Sequence, residues 1–134
     1  LMGHSMGGHG ALISALKRPD VFRSCSAFAP ISAPSKTPWG QKAFRGYLGD
    51  DQTLWAEYDA CELAAESTLD ASVLVDQGEL DPFLEEQLQP HRLEAAFQLA
   101  GKSIEVRLQA GYDHSYYFVS TFIAEHLARH AEVL

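Results

Sequence analysis

Gly3-His4-Ser5-Met6-Gly7 sets a serine between two glycines, each two residues away. The Gly-x-Ser-x-Gly pattern is that of a sharp turn from strand to helix, strained at the serine, whose hydroxyl projects above a sheet. Side chains two positions before and after the serine are expected to collide in so tight a turn, which accounts for Gly3 and Gly7. Gly8 and Gly10 extend the small surface and let the following helix pack close to the sheet. Taken alone, the pattern also fits a glycine-rich turn that merely opens a helix. The chemistry it would support is nucleophilic. A serine needs a base to take its proton and a carboxylate to orient that base. Both occur downstream: His114 in "GYDHSYYF" and Asp81 in "DQGELDPFL".

Each candidate has rivals. His4 and His9 flank Ser5 too closely in sequence to serve as its base, and His4 is expected to shape the turn. His91 lies near a helix start and is expected to be solvated. His126 and His130 stand at i and i+4 on the last helix, a spacing that can bind metal, but no third ligand is evident and a surface or capping role is expected. Among the acids, Asp76 falls within or at the end of a strand, Glu79 shares the Asp81 loop, and Asp113 adjoins His114 and is expected to point elsewhere. Asp81 precedes Pro82 and also suits a turn. Of the two backbone donors that would hold an oxyanion, one is expected to be the N–H of Met6.

These residues need a frame. Ala11, Leu12, Ala15 and Leu16 recur at helical spacing after the serine, with a stop at Pro19. "SCSAFAP", residues 24–30, predicts a short buried strand. Residues 31–49 hold several prolines and glycines and predict an irregular excursion, with Trp39 and Phe44 packed. Residues 50–67 predict one helix capped by Asp50 or Asp51. "SVLVDQG" predicts a strand, "HRLEAAFQLAG" a helix ended by Gly101, "SIEVRLQAG" a strand, and residues 116–131 a final helix. Such alternation argues for an α/β fold, a parallel sheet with flanking helices. Three strands alone would leave that sheet poorly covered, because parallel strands are normally buried on both faces. Serine turn, acid after a later strand and histidine after the last strand follow the chain order of the α/β-hydrolase fold. Residues 1–134 are therefore expected to be a single partial domain, the C-terminal portion of that fold. Its N-terminal strands and oxyanion loop are expected to lie outside the sequence.

Composition narrows the classes. The 134 residues are 46% hydrophobic, as expected of one globular domain. A net charge of −8 argues against nucleic acid and anionic membrane surfaces as main partners. No apolar run approaches the ~18 residues of a membrane span, and no secretory leader is visible. Cys25 and Cys61 lie too far apart for a CxxC motif and suit free thiols of a reducing compartment.

Four stretches in order, "GHSMGGHGALISALKRPDVFRSCSAFAPI", "PWGQKAFRGYLGD", "VDQGELDPFL" and "GYDHSYYFVSTFIAEHLARHA", resemble the S-formylglutathione hydrolases of the esterase D family. The resemblance covers nearly the whole chain. It implies a cytoplasmic α/β-hydrolase that releases formate and glutathione from a small thioester, completing formaldehyde detoxification, and that also cleaves simple activated esters. It implies no metal and no organic cofactor, and allows for a homodimer. Carried over by motif, Ser5 would be the nucleophile, Asp81 the orienting acid and His114 the general base. The family's acid loop usually has two consecutive acidic residues; here Leu80 replaces the first and Asp81 keeps the second. The family's N-terminal half is absent from the sequence.

Overall fold

In the computed structural model, which describes residues 1–134, four parallel strands form one sheet. They are β1 (Met2–His4), β2 (Cys25–Phe28), β3 (Val73–Gly78) and β4 (Ile104–Gln109), in spatial order β1-β2-β3-β4. The pairings Gly3 with Ala27, Ala27 with Val75, and Val75 with Val106 fix one register across all four.

The strand period of two sorts the side chains onto two faces. Cys25 and Ala27 of β2 and Val73 and Val75 of β3 enter the larger core. Three helices cover that face: α1 (Met6–Lys17), α4 (Ala60–Glu66) and α5 (Pro90–Leu99). They contribute Leu12, Ala15, Ala60, Ala64, Leu93 and Phe97, all fully buried. Phe28 of β2 points to the other face and packs with Phe118 of α6 (Tyr116–Ala131). The β3 strand is buried along its whole length, as expected of a central parallel strand covered on both sides.

Three expectations need correction. The excursion over residues 31–49 is mostly helical: a 3₁₀ turn at Pro34–Lys36 and then α2, Pro38–Leu48. Its prolines lie at the first positions of these turns, where a missing N–H costs nothing. Residues 50–67 form two short helices, α3 (Gln52–Ala56) and α4, not one. The break is at Asp59, a fully buried cap that accepts from Cys61 N at 2.9 Å and from Ser35 N at 3.0 Å. Asp51 caps α3 by accepting from Thr53 N. Lastly, the sheet has a fourth strand, β1, which is the short approach to Ser5.

Candidate active site

Ser5 stands where β1 gives way to α1, with φ 56° and ψ −119°. That is a strained conformation for a residue with a side chain. Its N–H donates to Phe28 O at 2.8 Å, tying the turn to the end of β2. A Cβ at Gly3 would drive into the Gly7 carbonyl, so glycine is required there. Gly8 lets α1 approach closely, since a Cβ there would sit 3.2 Å from Gly3 O and 3.3 Å from the Ala27 Cβ. Gly7 and Gly10 differ from expectation: a Cβ at either meets nothing within 4 Å. Met6 is the first residue of α1, and first-turn N–H groups have no partner within their helix.

The acid and histidine loops leave adjacent strands and are stitched together. Glu79 N donates to Gln109 O at 3.1 Å and Leu80 N to Tyr112 O at 2.9 Å. Gly78 makes this crossing feasible, because any Cβ there would collide with the Tyr112 carbonyl. The result sets three distant side chains in a row. His114 Nε2 is 3.0 Å from Ser5 Oγ, and His114 Nδ1 is 2.6 Å from Asp81 Oδ2. The Asp81 side chain is wholly shielded from solvent. It also accepts from Gln77 Nε2 at 3.0 Å and from Phe83 N at 2.9 Å. Burial pushes its carboxyl toward the neutral form, but hydrogen bonds from His114, Phe83 N–H and Gln77 outweigh that and hold it below the ordinary carboxylate value. An ionised Asp81 at Nδ1 fixes the His114 tautomer with its Nε2 lone pair toward Ser5.

The His114 ring is gripped from two sides. Phe83 meets it edge-on, with centroids 5.3 Å apart, and His4 lies 4.6 Å away. Trp39 packs on Phe83 at 4.6 Å and stays 40% exposed, so it borders the site. Phe44 is buried against Trp55, as expected of a packed residue.

The rivals have other partners. Asp76 is ion-paired to Arg107 at 2.6 Å and accepts from Gln109, while His126 Nε2 lies 3.0 Å away. Burial raises its carboxyl, but His126, Arg107 and Gln109 together bring it down to about 2. Asp113 accepts from Ser115 N. His126 is fully buried and stacks on Phe28, which corrects the expected surface role. His130 turns to Ser24 and Ser26 at the far end of β2, so the two histidines do not converge. Burial pushes both thiols, Cys25 and Cys61, up to about 12, too high for a thiolate nucleophile at neutral pH. Sequence spacing had not indicated the Asp76–His126–Arg107 cluster, because its members are up to 50 residues apart. A charged residue directly after the apolar run Val73–Val75 of the central strand was the available signal.

Comparison with known proteins agrees with this architecture. The Esterase family model, described as "Putative esterase", matches residues 1–129. An S-formylglutathione hydrolase of Arabidopsis thaliana is 50% identical over 135 residues, covering 100% of this chain and 48% of the relative. The solved structure of an S-formylglutathione hydrolase from Agrobacterium tumefaciens is 49% identical and superposes with TM-score 0.93 over 98% of this chain and 47% of its own. A capsule O-acetyltransferase of Neisseria meningitidis serogroup A shares the fold at TM-score 0.72 and 18% identity, over 98% of this chain and 54% of its own. The chain thus spans about half the length of the relatives it matches. With a family match over almost all of its residues and a strand-to-helix serine turn in place, the chain belongs to the Esterase family.

Proposed function

We propose that Ser5, His114 and Asp81 act as the nucleophile, general base and orienting acid of a serine hydrolase that cleaves S-formylglutathione to formate and glutathione. The observation that carries this reading is the pair of hydrogen bonds linking Asp81, His114 and Ser5 at 2.6 and 3.0 Å. Ser5 Oγ attacks the formyl carbon and gives its proton to His114 Nε2. The Met6 N–H is one donor to the resulting oxyanion. Collapse breaks the C–S bond, and His114 passes its proton to the glutathione sulfur. Water then attacks the formyl ester, giving a proton to His114. The C–O bond to Ser5 breaks, the proton returns to Ser5 Oγ and formate leaves. A relative named S-formylglutathione hydrolase, 50% identical over 100% of this chain, supports the substrate class. Such an activity would serve the last step of glutathione-dependent formaldehyde detoxification.

The family description also fits a second reading, a broader carboxylesterase, and the same three residues would equally serve an acyltransferase. The two are separated in the polypeptide of the complete reading frame by comparing kcat/KM for S-formylglutathione and p-nitrophenyl acetate. The first reading expects a marked preference for the thioester and loss of turnover in Ser5→Ala. Equal or better use of bulky oxygen esters would assign the second.

A further inference from the structure

His4 is the residue between Gly3 and the proposed nucleophile, yet its ring does more than fill the turn. Its centroid lies 4.6 Å from that of His114 at an interplanar angle of 39°, and 5.7 Å from that of Tyr116 at the start of α6. His4 Nε2 is buried with no hydrogen-bond partner. A buried imidazole nitrogen without an acceptor gains nothing from a second proton, whereas a neutral ring can pack on its neighbour. The groups that face His4 are His114, Tyr116 and, through space, Asp81. Only Asp81 favours a charge on His4, and its carboxylate is already engaged by His114, Gln77 and Phe83 N–H.

We propose that His4 is a positioning residue for His114: its neutral ring packs on the imidazole that bridges Asp81 and Ser5, and its protonation disables the site by setting a like charge beside that imidazole. The proposal rests on the hydrolase reading above. Catalysis requires His114 to become an imidazolium transiently when it takes the Ser5 proton. A neutral His4 leaves that charge unopposed, and a protonated His4 repels it at close range. Burial, and then His114 itself, hold His4 below the ordinary histidine value, with Asp81 opposing. His4 is therefore neutral at neutral pH, and its second proton arrives only on the acid side. Protonation of His4 removes the room for the base to charge.

The test uses the polypeptide of the complete reading frame, with p-nitrophenyl acetate as substrate. In the wild type, protonation of His4 steepens the acid limb of log(kcat/KM) against pH. His4→Phe keeps a packed ring without a titrating nitrogen, and its acid limb is shallower. His4→Ala loses the packing as well: kcat falls about tenfold with KM little changed, and His4→Phe recovers most of that loss. A second readout does not depend on turnover. Ring-proton NMR titration of His4 is expected to move to higher pH in His114→Gln, because a like charge has been removed. Identical acid limbs in wild type and His4→Phe, or an unmoved His4 titration in His114→Gln, overturn the charge coupling. Unchanged kcat in His4→Ala overturns the positioning role. Retained turnover in Ser5→Ala would instead sink the hydrolase reading, while the NMR arm still decides whether the two rings are coupled.

Discussion

Asp81 holds its charge where no solvent reaches it, and each of its oxygens has a donor: Gln77 and His114 on Oδ2, the Phe83 N–H on Oδ1. In the proposed mechanism this carboxylate holds the His114 tautomer and balances the imidazolium. Asp81→Asn is expected to keep the shape and lose the charge, lowering kcat by on the order of 10⁴ with a much smaller change in KM. Steady-state kinetics on the complete polypeptide checks this. A loss no larger than tenfold would reassign the acid, with Glu79 as the next candidate in the same loop.

Secondary-structure elements set how well these residues meet. Gly78 ends β3 beneath the Tyr112 carbonyl, and the histidine loop passes over it. Gly78→Ala must push that loop away. A shift of about 1 Å at a reacting pair can cost on the order of 10²-fold, so kcat is expected to fall by that much while the fold survives. Circular dichroism alongside kinetics separates the two effects. The other connection runs through α6, which the Asp76–His126–Arg107 cluster fastens to β3 and β4. In the folded chain the Asp76 carboxyl is lowered from 3.8 to about 2. A lowered acid stabilises the fold above its unfolded value, and that stability is lost as pH falls through the folded one. The contribution is about 2 kcal/mol at neutral pH, disappearing between about pH 4 and pH 2. Chemical denaturation in that window should show a decline that Asp76→Asn removes.

At the level of the whole molecule, two histidines set a second pH dependence. His9 Nδ1 lies 3.0 Å from Ile31 O and Nε2 lies 2.8 Å from Tyr58 O, joining α1 to the α2–α4 excursion. Burial lowers His9, against the opposing pull of those carbonyls and Asp59, and burial lowers His4 as well. Both fall below the ordinary value of 6.5, so the unfolded chain binds more protons than the folded one as pH drops past it. Stability is expected to decrease from pH 7 toward pH 5, and His9→Gln to flatten the decrease in thermal unfolding.

The sequence by itself determined the alternation of strands and helices, because buried parallel strands and one-sided helices leave local apolar patterns, as in "SVLVDQG" and residues 116–131. It also marked Ser5, since the strained turn excludes a side chain at Gly3. It did not determine the break at Asp59, whose buried cap satisfies Ser35 far along the chain. Nor did it reveal that Asp76, the rival acid, belongs to Arg107 and His126. Those outcomes depend on which side chains meet across strands, and such pairings lie dozens of residues apart. Only the stacking of β1, β2, β3 and β4 in register brought Ser5, Asp81 and His114 within hydrogen-bond reach and laid His4 against the last of them. A hydrogen bond depends on distance and angle, and neither is written in residue order.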